Sequence, residues 1–194
     1  MPRPRGACPI PMAHERATLA ATAARIIVES ELTDWALARR KAAAELGLAA
    51  HGTPQPSDAE IIAEIQTWQA LYGGAEWVAQ LRAQREYALE AMQALQRFNP
   101  ALVGPVAEGW AHAGSEIRIE LTPDNPKEVE YALIDLDVEF TPHLGRDGVA
   151  QYEIVDGDWP MRLVVREGGR APDPRHKHRL SGSQLQQLLR QSPI

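Results

Sequence analysis

Between Ser115 and Leu121 the chain reads Ser-Glu-Ile-Arg-Ile-Glu-Leu, polar and apolar residues in alternation. A strand with this pattern turns Ile117, Ile119 and Leu121 inward and presents Glu116, Arg118 and Glu120 on its other face. Three uses of that face are open. Carboxylates ligate divalent ions. A guanidinium offers a planar fork of donors that suits a phosphate or carboxylate. The three residues can also form a solvated face, with Arg118 paired to a neighbouring acid. Glu116 and Glu120 stand four residues apart, ~13 Å at strand rise. That is too wide for one shared pair of metal ions, which lie roughly 3.5–4 Å apart. A cation between the two acids repels both ions and ligates neither.

Other residues of chemical interest are scattered. His112 lies in the turn that approaches this strand, and His176 and His178 in the basic run Arg166-Glu-Gly-Gly-Arg-Ala-Pro-Asp-Pro-Arg-His-Lys-His-Arg179. That run reads as an anion- or RNA-contacting loop, as a His pair for metal, or as a solvated loop. The His pair has only Asp173 near it at metal-ligand spacing. Arg39-Arg-Lys41 has the charge of a helix in a nucleic-acid groove, but Ala36, Leu37, Ala43 and Ala44 around it suit a packed helix with a solvated basic face. Trp68, Tyr72 and Trp77 read as core or as a patch facing a partner.

The elements that must position these residues fall into two halves. From His14 to Phe98 good helix formers dominate, with Pro only at 54 and 56. Four helices are expected: about 14–31, then 34–46 capped by Thr33 and closed by Gly47, then one from the capping box Ser57-Asp-Ala-Glu60 to Gly73-Gly74, then 75–98. Each is apolar on one stripe, so the four most simply bury against one another. After Asn99-Pro100 the spacing predicts strands 101–107 and 115–121, a helix 126–136 and a short strand 137–141. A hairpin 150–155/159–166 and a short helix capped by Ser183-Gln-Leu-Gln186 follow. The fold class is therefore α+β: a tail of residues 1–12 without order, a helical region 13–98, and residues 99–194 as a mixed sheet with flanking helices.

The stretch Leu102-Val-Gly-Pro-Val-Ala-Glu-Gly-Trp-Ala-His-Ala-Gly-Ser-Glu-Ile-Arg-Ile-Glu-Leu121 resembles the signature of DNA polymerase beta-type nucleotidyltransferases. In that superfamily a Gly-Ser or Gly-Gly step and a small-residue turn precede a strand bearing acid-apolar-acid. Val103-Gly104 matches the glycine, Ala107 and Gly109 the turn, and Ser115-Glu116 the start of the strand. The helical half, with Ile27 to Gly47 and Pro56 to Ile61, resembles uncharacterised proteobacterial proteins that join such a region to a nucleotidyltransferase-like domain. The resemblance implies Gly104, Pro105, Ser115, Glu116 and Arg118 as ligand-binding residues. It implies a third acid, Glu139 or Asp137, on the strand next to Glu116. Two positions depart from the pattern. Arg118 stands where the second metal carboxylate belongs, and Pro105 removes a backbone N–H at the glycine step. The expected function is thus a catalytically degenerate nucleotidyltransferase-fold protein without metal, binding a nucleotide, a small phosphate or a protein. The alternatives are an active Mg²⁺-dependent transferase using Glu116 with Glu139, and a structural or regulatory protein whose helical region binds a protein partner.

Composition narrows the partners. The 194 residues carry 20 basic and 26 acidic side chains, a net charge of −6, which argues against general nucleic-acid binding. From Gly104 to Pro160 there are 3 basic residues and 13 acidic ones, whereas residues 161–194 hold 7 basic and 2 acidic. A triphosphate approaches the first surface poorly without metal. The single cysteine, Cys8, makes no internal disulfide, and no apolar run nears the ~20 residues of a membrane span. A cytoplasmic setting is expected.

Overall fold

The computed structural model describes residues 10–48, 54–145, 148–154, 157–166 and 178–191. The chain forms two compact units, Met1–Gly74 and Ala75–Ile194.

The first unit is helical: α1 (Ile10–Glu29), α2 (Trp35–Glu45) and α3 (Asp58–Trp68), followed by a π-helical turn over Gln69–Gly73. α1 packs against both α2 and α3. Leu19, Ala23 and Ile27 of α1, Ala38 and Ala42 of α2, and Ile61 and Ile65 of α3 are fully buried. Small residues on α2 let its axis come close, and each buried Ile or Leu contributes ~1.5–3 kcal/mol. Asp34 caps α2, its carboxylate accepting from the Leu37 N–H at 3.0 Å, so the cap falls one residue after the expected Thr33. Gly47, at φ +65°, ends it. The Leu48 N–H returns to the Ala43 carbonyl and the Gly47 N–H to Ala44, the paired bonds of a Schellman close. Ser57 and Glu60 form the expected capping box on α3. Three ion pairs tie the helices: Arg16–Glu60, Arg25–Glu45 and Arg39–Asp58.

The second unit is mixed α and β. Its elements are α4 (Gly74–Ala94), β1 (Ala101–Val103), α5 (Pro105–Glu108), β2 (Ile117–Leu121), α6 (Lys127–Asp135), β3 (Thr141–Leu144), β4 (Ala150–Ile154), β5 (Met161–Val165), β6 (Leu180–Ser181) and α7 (Gly182–Gln191). The six strands form one sheet in the order β3-β4-β5-β2-β1-β6, in which β2 and β5 run parallel and every other pair antiparallel. One face carries Leu102, Ile117, Ile119, Tyr152, Leu163 and Val165, and packs with α4, α6 and α7 in a single core.

Several elements differ from expectation. The second compact unit includes α4, whose Leu81, Ala88 and Met92 belong to the core beneath the sheet. The strand expected over 101–107 stops at Val103. Gly104 at φ +75° turns the chain, and Pro105, with φ fixed near the helical value, starts α5. The strand expected at 137–141 begins only at Thr141, since Asp137 takes a left-handed conformation at φ +56°. Ser181 and Gln184 cap α7, two residues before the expected pair: the Ser181 hydroxyl accepts from Gln184 N, and the Gln184 amide oxygen from Ser181 N.

Candidate functional site

Register sets which residues share the face of the sheet opposite the core, a face buried at Val103, Glu120 and Val164 and partly exposed at Arg118 and Arg162. Alternation places Arg118 and Glu120 of β2 opposite the core, and parallel pairing places Arg162 of β5 beside Arg118 and Val164 beside Glu120. On the other flank Val103 of β1 stands next to Arg118. Glu153 of β4 stands next to Arg162.

Glu116, just ahead of β2, is the hinge of this face. One carboxylate oxygen accepts from Arg118 Nη2 at 3.0 Å. The other accepts from Arg162 Nε at 2.8 Å, with Nη2 also at 2.8 Å. Arg162 Nη1 donates further to Gln151 Oε1 at 3.3 Å. Arg118 Nε is buried and has no hydrogen-bond partner. Glu153 engages His143 at 2.9 Å. Further along β2, Glu120 is fully buried and lies between Arg166, whose Nε and Nη2 approach Oε1 at 3.3 Å, and Arg179. A single carboxylate thus holds both ends of the basic run 166–179. Residues 167–177, including His176, lie outside the described residues.

The remaining residues implied by the resemblance fall in different places. Gly104 and Pro105 form the turn into α5. Ser115 is buried and its hydroxyl is committed locally, accepting from the His112 N–H at 2.9 Å. Glu139 lies in the segment between α6 and β3, off any strand, and two strands separate β3 from β2. The strand beside β2 is β5. The position next to Glu116 and Arg118 that was expected to hold Glu139 or Asp137 holds Arg162 instead.

Sequence reasoning did not single out α4 as a support for the site. Trp77 Nε1 donates to the Ala111 carbonyl at 2.8 Å, Gln84 Nε2 to His112 at 3.3 Å, and Arg85 Nε to Val106 at 3.1 Å. Three side chains of one helix therefore clasp the connection between β1 and β2. Burial lowers the pKa of the Arg85 guanidinium from its ordinary value. The i, i+7, i+8 spacing of Trp77, Gln84 and Arg85 is the only sequence signal for this clasp, and it looks the same as an ordinary half-buried helix face.

Glu116 already meets two guanidinium groups, those of Arg118 and Arg162. Among the described residues no three His, Cys, Asp or Glu side chains converge as a metal site. Nor does any described helix have the length and apolarity to cross a membrane. No family model, curated protein or solved structure matches the chain.

Proposed function

We propose that residues 99–194 are a nucleotidyltransferase-type domain in catalytically degenerate form, which binds a phosphate-bearing ligand such as a nucleotide without metal. One observation carries this reading: the buried Arg118 Nε–H has no partner, although a buried donor left unpaired costs ~1–3 kcal/mol. An anion seated between Arg118 and its neighbours would satisfy that donor with a charge-assisted hydrogen bond. The order of glycine turn, acid and strand from Gly104 through Glu116 to Leu121 supports the family reading, while Arg118 and Arg162 in place of carboxylates speak against transfer chemistry.

A thermal-shift screen with inorganic phosphate, AMP and ATP, in the presence of EDTA, tests the proposal. The wild type is expected to shift. Arg118→Ala is expected to weaken the ligand about 10- to 150-fold, the equivalent of a lost charged hydrogen bond of ~1.5–3 kcal/mol. If no anion shifts the wild type, or if Arg118→Ala leaves every shift intact, the face is plain surface.

A second reading, a protein partner for the helical unit, draws on Leu71 and Tyr72, each 69% exposed beside Trp68. Chemical crosslinking in cells would recover a partner dependent on these two side chains.

A further inference from the structure

Arg118 and Arg162 stand side by side on parallel strands about 4.8 Å apart, both partly exposed on the face opposite the core, a placement in which like charges repel. One carboxylate offsets the pair, and it sits ahead of β2 rather than within it. The neighbours supply little more. Val103 on the β1 side is apolar, and Glu153 on the β4 side is turned to His143. Two guanidinium groups thus share a single negative charge, and Arg118 keeps a buried N–H unused.

Resting on the anion-binding reading above, we infer that Glu116 is the internal occupant of a two-arginine site for a phosphate dianion, which binds by displacing the Glu116 carboxylate from Arg118 and Arg162. Charge sets the ligand class. A monoanion, such as a phosphodiester or a carboxylate, only replaces what Glu116 already provides. A phosphate monoester carries nearly two charges at neutral pH and three acceptor oxygens. It offsets both guanidinium groups and reaches the idle Nε–H as well. The ligand is therefore the terminal phosphate of a nucleotide or another phosphomonoester, and the site discriminates against diesters. Arg162 is its second binding arm. Glu116 suppresses occupancy by weak or singly charged anions.

The test uses the full chain at pH 7.5 with EDTA, titrated with methyl phosphate and separately with dimethyl phosphate, following the arginine Nε–Hε resonances. Methyl phosphate is expected to shift the Arg118 and Arg162 signals, and dimethyl phosphate to bind at least tenfold more weakly. Arg162→Ala is expected to weaken methyl phosphate about tenfold or more, and Arg162→Lys to restore only part of it, because the point charge lacks the fork. Glu116→Gln is expected to tighten methyl phosphate about tenfold, with Glu116→Ala as the second variant should Gln disturb the fold. Binding that depends on Arg118 but is unchanged in Arg162→Ala and not tightened by either Glu116 variant overturns this inference and leaves the anion-binding reading standing. Absence of any methyl phosphate binding in the wild type and in both Glu116 variants overturns both.

Discussion

Arg162 of β5 lies in register with Arg118 of β2, and the two guanidinium groups meet different oxygens of the Glu116 carboxylate. Their sequence separation is 44 residues, bridged only by the parallel pairing of β2 with β5. This relationship decides how that part of the face behaves. Glu116 alone would be a carboxylate at a strand start. Between two arginines it is a neutralised group on a face with surplus positive charge. The same pattern repeats deeper in the sheet, where Glu120 sits between Arg166 and Arg179.

Metal binding is the first consequence. Calorimetric titration with Mn²⁺, with and without ATP, is expected to show no saturable site that depends on Glu116. Arg118→Asp is expected to abolish metal-free anion binding yet create no Mn²⁺ site, because Arg162 still occupies Glu116. A tight Mn²⁺ site in the wild type that disappears in Glu116→Ala would reinstate an active transferase.

Glu120 supplies the second. Its carboxylate has no solvent exposure and Arg166 is 8% exposed, so Glu120→Gln removes the buried charge that meets both Arg166 and Arg179. Breaking a buried pair by removing one partner costs ~3–5 kcal/mol. Urea denaturation is expected to show a loss of that order for Glu120→Gln. Glu116→Gln, on the half-exposed pair, is expected to lose ~1 kcal/mol or less. Equal losses in the two variants would contradict the difference in burial.

The third concerns Tyr152, whose hydroxyl donates to Glu130 at 3.0 Å from within the core. Burial first, and then the Glu130 carboxylate, push the phenol up to about 12. An unfolded tyrosine ionises near ~10. Between about 10 and 12 the unfolded chain therefore releases a proton that the folded chain keeps, and stability falls as pH rises through that window. Tyr152→Phe is expected to lose ~1 kcal/mol at pH 7 with the hydrogen bond. It also removes this alkaline decline, which denaturation at pH 8, 10 and 11.5 measures.

Local features were legible in the sequence and long-range ones were not. The Ser57–Glu60 box, the Gly47 close and the β4–β5 hairpin each depend on residues within a few positions, where side chain and backbone chemistry decide the outcome. Arg118 as the departure from the expected acidic pair was visible for the same reason. Arg162 was not, because an alternating strand gives no sign of which strand it will pair with. Glu139 was misplaced by the same gap: β3 and β4 intervene as an antiparallel pair, so the strand beside β2 comes later in the chain. The end of β1 after three residues was written in Gly104-Pro105, a turn followed by a helix start, and was outweighed by the β-branched residues around it.

Glu60 responds to pH at the other end of the scale. Glu60 on α3 accepts from Arg16 Nη2 at 2.5 Å and Nε at 3.2 Å, from the Ser57 hydroxyl at 2.6 Å and from the Ser57 N–H at 2.8 Å. Arg16 first, then Ser57, hold its carboxyl down to about 2. A glutamate in an unfolded chain titrates near ~4.3. The bonded carboxylate therefore stabilises the folded state fully above that value, and the contribution is lost as pH falls from about 4.3 through about 2. An NMR titration of the Glu60 side-chain carboxyl carbon in the full chain is expected to show a midpoint near 2. Arg16→Ala is expected to raise the midpoint toward the ordinary range, and Ser57→Ala to raise it by less. Acid denaturation of Glu60→Gln should lack the part of the decline between pH 4 and 2 that the wild type shows. A wild-type midpoint at the ordinary glutamate value would mean that Arg16 does not hold Glu60 in solution, and that Ser57 alone caps α3.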